Sequence, residues 1–141
     1  MLRIIRIVFI LSVAIAIIVI GMINQSQAPE IPNGLTLTRE IYNPSNNQYG
    51  NKLFLSWEAN TESDIEGYRI YRCYQEIGQY YTPKTTYDLI DTTTKTHYTD
   101  IIIQRGEIRT TIFYYQVSAF NIDGHESSPS LEVSIEYTPY K

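Results

Sequence analysis

Leu53-Phe54-Leu55-Ser56-Trp57 and, a short loop later, Gly67-Tyr68-Arg69-Ile70-Tyr71-Arg72 decide how the chain is read. In the first run Leu53, Leu55 and Trp57 point one way, Phe54 and Ser56 the other. In the second, Tyr68 and Ile70 share a face and Arg69 and Tyr71 take the opposite one. Side chains alternate with period two along a strand, so both runs are expected to be half-buried β-strands. The polar connector, residues 58–66, runs up to Gly67 as a surface loop does. A lone Trp is large enough to anchor a small core. Matched alternation places Trp57 with Leu55, Tyr68, Ile70, Tyr115 and Val117.

Outward from this pair, residues 34–38 alternate as a first strand with Leu35 and Leu37 inward, and residues 43–51 are turn chemistry throughout. Residues 73–86 form a long connection bearing Tyr, Gln and Pro83. Residues 87–91 and 96–100 read as two short strands, and 104–107 as a turn. Residues 110–120 make the longest strand, 121–124 a tight turn, and 131–136 a closing strand with strict alternation. Seven strands and no helical period after residue 30 give an all-β chain with the pattern of a β-sandwich.

The chain's 141 residues suffice for one ordinary domain, and its 13 Tyr favour strands. From residue 29 onward nine basic face fifteen acidic side chains, a balance of −6. That argues against a nucleic-acid partner, whose phosphates need a basic surface. One cysteine, Cys73, excludes an internal disulfide or a cysteine-based metal cluster.

Residues 1–6 are a basic flank carrying Arg3 and Arg6, and residues 7–23 are uncharged and almost wholly apolar. Those 17 residues span roughly 25 Å as a helix, against a hydrocarbon core of ~30 Å. Leu2, Ile4 and Ile5 can extend the apolar face while the two arginines snorkel to the headgroups. The stretch is either a cleaved signal peptide or a retained anchor. Ser26-Gln27-Ala28 offers small residues for cleavage, but Pro29 would follow the cut. We take the retained transmembrane anchor as the expectation, with residues 24–32 as a short linker stiffened by Pro29 and Pro32, and the domain over 33–138. In either case the basic flank stays in the cytoplasm and the rest lies outside the cell or in the periplasm.

The residues also carry a resemblance. Pro29-x-x-Pro32-x-Gly34-Leu35, Leu53-x-Leu55-x-Trp57, Asp64-Ile65-x-Gly67-Tyr68-x-Ile70-Tyr71 and Tyr98-x-Asp100 stand in the order seen in a fibronectin type III domain. So does the run from Tyr114 through Ala119, Asn121 and Gly124 to Glu126-Ser127-x-Pro129-Ser130. The likeness covers about residues 29–136. It resembles the versions found in surface and secreted proteins of bacteria and archaea. It implies an immunoglobulin-like sandwich of strands A, B and E against C′, C, F and G, without a bound cofactor. One departure is Phe113, standing where the family usually has the tyrosine of its corner motif.

Catalytic and metal readings find little to rest on. His97 and His125 are far apart, no nucleophile-elbow sequence is present, and Asp64, Asp88, Asp91, Asp100 and Asp123 are scattered over expected turns without calcium-loop spacing. No catalytic, cofactor or metal residue is assigned, and the chain is not expected to be an enzyme. The expected role is a membrane-anchored module that binds a protein or glycan at the cell surface. The alternatives are an accessory subunit of a larger membrane complex or, after cleavage, a secreted domain. Candidate binding residues are Arg69, Tyr71, Tyr114 and Gln116, with Tyr71 and Tyr114 as an exposed aromatic pair on one outer face, since Tyr and Arg are common interface anchors. Cys73 falls on that face and is a candidate for a disulfide with a second copy, making a homodimer.

Overall fold

The structure, a computed structural model, describes residues 27–42, 50–78, 82–103 and 109–138. The basic flank, the apolar stretch 7–23 and most of the turns at 43–51 and 104–107 lie outside them. Seven strands form: β1 Thr36–Tyr42, β2 Gly50–Ser56, β3 Ile65–Ile77, β4 Asp88–Thr93, β5 His97–Ile103, β6 Thr110–Asn121 and β7 Val133–Tyr137. They divide into a three-stranded sheet β1-β2-β5 and a four-stranded sheet β4-β3-β6-β7, every pairing antiparallel. Among the described residues no helix is long and apolar enough to cross a membrane.

The two sheets share one core, as in a β-sandwich. Leu53, Leu55 and Trp57 come from the smaller sheet's side, and Tyr68, Ile70, Tyr115, Val117 and Ala119 from the larger. The six residues expected from alternation are all in this cluster. Trp57 meets Tyr68 edge to face, ring centroids 5.3 Å apart, and its backbone N–H donates to Thr96 O at 3.0 Å. Its indole N–H is buried without a partner. Leu35, Leu37 and Phe113 pack against the cluster from its margin.

Three boundaries differ from the sequence reading. β3 continues past Arg72 to Ile77 because β6, starting at Thr110, offers it a partner over that whole length. β4 runs to Thr93 and β5 to Ile103, beyond the short strands read over 87–91 and 96–100, and Asp88, Asp91 and Asp100 lie in those strands. β7 begins at Val133, two serines having taken over the ladder before it. Ser127 N donates to Ala119 O at 2.8 Å while Ala119 N donates to Ser127 Oγ at 3.0 Å. Ser130 does the same with Val117, at 2.8 and 3.1 Å. Each serine thus offers one donor and one acceptor, which keeps the buried backbone of β6 satisfied on the side away from β3, where no strand pairs with it. Leu131, expected to begin the strand, is 90% exposed.

Gly67 and Gly124 stand where geometry calls for a glycine. A Cβ on Gly67 would lie 2.8 Å from Thr93 O, and Gly124 turns the β6–β7 connection with φ of +80°.

The sandwich has two distinct ends. Thr36 pairs with Ser56, Ser56 with His97, and Ile65 with Asn121. The start of β1, the β2–β3 loop, the β4–β5 turn and the β6–β7 turn therefore share one pole. Residues 27–32, read from sequence as linker, are packed onto that pole. Asn121 Nδ2 donates to Gln27 O at 2.9 Å, Glu30 N to Glu62 Oε1 at 2.6 Å, and Asn60 Nδ2 to Glu30 O at 2.9 Å. Pro32 is buried.

Candidate functional site

The outer face of the four-stranded sheet carries the residues singled out from sequence. Odd-numbered positions of β3 and even-numbered positions of β6 point there, so Arg69, Tyr71 and Cys73 stand beside Ser118, Gln116 and Tyr114 in register. The structure brings the four candidate binding residues together on this face. It also shows what they already hold.

Glu126, on the β6–β7 connection, folds back over the sheet. Its carboxylate accepts from Arg69 and Ser118, and from the Tyr71 hydroxyl at 2.5 Å. Arg69 also lies over the Phe120 ring, 4.7 Å from its centroid. Burial pushes the Glu126 carboxyl up, but the bonds from Ser118, Tyr71 and Arg69 outweigh it and hold the group below its ordinary range. Burial, and then the Glu126 carboxylate, raise the Tyr71 phenol. Gln116 Nε2 donates to Ser130 O at 3.2 Å, tying down the same connection.

A second clasp sits further along. Lys84, from the β3–β4 connection, binds both oxygens of Glu132 at 2.8 and 2.9 Å, and the Tyr87 hydroxyl donates to the same carboxylate. Lys84 Nζ rests 3.6 Å from the centroid of the Tyr114 ring, and Tyr114 OH donates to Gln75 Oε1 at 3.0 Å. Burial again opposes, and the Lys84 and Tyr87 bonds again prevail, in holding the Glu132 carboxyl down.

Two expectations are corrected here. Tyr71 and Tyr114 are not an exposed pair: Tyr71 stands opposite Gln116, and Tyr114 opposite Cys73. Tyr114 is only 9% exposed, roofed by Lys84. Cys73 lies on the outer face as expected but is 1% exposed, so its thiol is not presented to a second copy. Burial raises the thiol, partly offset by a hydrogen bond with Tyr87. The long β3–β4 connection is the reason, since it crosses the face that a bare strand pair would leave open.

Between the sheets lies a group not foreseen from sequence. Asp100 of β5 accepts from Arg72 at 2.6 Å and from the Tyr115 hydroxyl at 2.7 Å. Arg72 falls in line with Tyr68 and Ile70, so period two already pointed it inward, and an arginine half-buried between sheets calls for a carboxylate. That was the available signal. Burial would lower the Arg72 guanidinium, but the Asp100 bond outweighs it and raises it. Burial, and then Asp100, push the Tyr115 phenol far up. Arg72 is thereby held protonated and Tyr115 keeps its phenolic proton, so the cluster acts as a structural staple between the sheets.

On the opposite surface, Phe54, Ile101 and Ile103 are exposed large apolar side chains of β2 and β5, and β5 is an edge strand. Among the described residues no group of three or more His, Cys, Asp or Glu could hold a metal ion. Set beside known proteins, the chain matches no protein-family model and no curated protein.

Proposed function

We propose that the chain is a fibronectin type III module, held by residues 7–23 at the outer surface of a membrane, that binds a protein or glycan there without catalysis. The observation that carries this reading is the strand partition, β1-β2-β5 against β4-β3-β6-β7, which is the A-B-E against C′-C-F-G arrangement that the resemblance implies. The ordered motif run from Pro29 to Ser130 supports it independently. The uncharged stretch 7–23 behind Arg3 and Arg6 supports the anchor and its orientation. Of the four candidate binding residues, Arg69, Tyr71 and Gln116 keep partly exposed side chains, whereas Tyr114 contributes from beneath.

The test is purification of the full chain from membranes of its own host, with a photoreactive residue at Gln116. Crosslinking to a soluble or peripheral protein, or capture of a glycan, supports the binding module. A stoichiometric integral-membrane partner held without the crosslinker means an accessory subunit instead. Recovery of the chain alone, uncrosslinked, defeats both.

A further inference from the structure

Gln27, the first described residue, is not at the end of a loose tether. Its carbonyl accepts from Asn121 Nδ2 at 2.9 Å, and Asn121, fully buried, also bonds Asp64 Oδ2 at 3.2 Å and receives His125 N at 3.0 Å. One side chain therefore joins the N-terminal segment, the β2–β3 loop and the β6–β7 turn. The next residue, Ile122, has its N–H on Asp64 O at 3.0 Å and its side chain 69% exposed.

The apolar stretch ends at Ile23, leaving only residues 24–26 before this docked point. Four steps of ~3.8 Å between Cα atoms give Gln27 a reach of at most about 15 Å from the last apolar residue. The headgroup layer takes up roughly 5–7 Å of that on each side of the bilayer. From these lengths, and resting on the anchor reading above, we infer that the sandwich stands on the outer bilayer surface by this pole, with Ile122 at headgroup depth and the far pole turned away. Glu30, Glu62, Asp64 and Asp123 share the near pole with Ile122, against Lys95 of the β4–β5 turn, so the pole is net acidic. Their charge keeps the contact shallow and suited to zwitterionic lipid, since an anionic surface would repel them.

The test uses the full chain reconstituted in phosphatidylcholine vesicles carrying a small fraction of lipid spin-labelled near the headgroup. An environment-sensitive fluorophore is attached at Ile122→Cys or, as control, at Ile77→Cys. Ile77 is also an exposed isoleucine, at the other end of β3, roughly 40 Å away along the strand. Buried Cys73 stays unlabelled, and the unsubstituted chain verifies this. Quenching at Ile122→Cys at least about twofold that at Ile77→Cys is expected for a side chain at headgroup depth. Equal quenching at the two positions, in protein that resists carbonate extraction, overturns the orientation and leaves the anchor standing. Protein that carbonate extracts from the vesicles shows instead that the anchor reading has failed, and the inference fails with it.

Discussion

Asp100 serves two donors from the opposite sheet, and this makes single changes around it unequal. Tyr115→Phe removes one hydrogen bond to a charged group, a loss of about 1.5–3 kcal/mol. Asp100→Asn leaves the Arg72 guanidinium without its counter-charge. A fully buried pair broken in this way would lose roughly 3–5 kcal/mol. Arg72, however, keeps 31% of its side chain exposed, so water offsets part of that, and about 2 kcal/mol is expected. Trp57→Ala should cost about 3–5 kcal/mol, the range for a large aromatic removed from a packed core. Denaturant melts of residues 27–141 would rank the three. A loss under about 1 kcal/mol at Trp57 would contradict its place in the core. Trp57 was legible because its strand alternates cleanly and its neighbours alternate in phase. The Arg72–Asp100 pair was not, because its members lie on different sheets and nothing along one strand names a partner on another.

The element that most altered the sequence reading is the β6–β7 connection. Alternation from Leu131 to Glu136 suggested a strand, and periodicity cannot see a serine replacing a strand partner through its hydroxyl. Glu126 then fastens the segment to the sheet, and Glu132 fastens it to the β3–β4 connection. Both carboxyls sit below their ordinary value of 4.5 when folded. A depressed folded value means their contribution is present above the unfolded value and is lost as pH falls through the folded one. Amide resonances of residues 126–132 should therefore move at pH below about 4.5, ahead of global unfolding, and Glu126→Gln should reproduce the change near Arg69 at neutral pH. Amides unmoved until the whole domain melts would show that the clasps carry no weight. The β3–β4 connection makes a parallel claim over Cys73. The native thiol should resist alkylation and the chain should run as monomer on non-reducing gels, whereas Tyr87→Ala should open it to reagent. Rapid labelling of the unaltered protein would place Cys73 in the open. Composition marked residues 73–86 as a long connection, but only the folded chain shows which face it crosses.

For the molecule as a whole, which strands share a sheet was not readable from periodicity, because pairing joins residues far apart in sequence. It was expected only through the resemblance. The two poles were less legible still, since the linker looked like punctuation until its backbone groups were found bonded to Asn60, Glu62 and Asn121. That docking makes the mode of attachment testable. With the anchor retained, the protein should stay in the membrane fraction after carbonate washing. Any domain that a broad-specificity protease added from outside releases should then begin no later than Gln27, because from there to Pro32 the segment is hydrogen-bonded to the sandwich. Asn121→Ala removes the donor to Gln27 O and should let the same protease trim further, toward Pro32, before the domain itself is attacked. A signal peptidase product would look different: soluble without added protease, and beginning at Pro29. N-terminal sequencing of untreated and protease-released material distinguishes the two. Soluble chains starting at Pro29 in untreated cells would overturn the anchor and leave a secreted domain in its place.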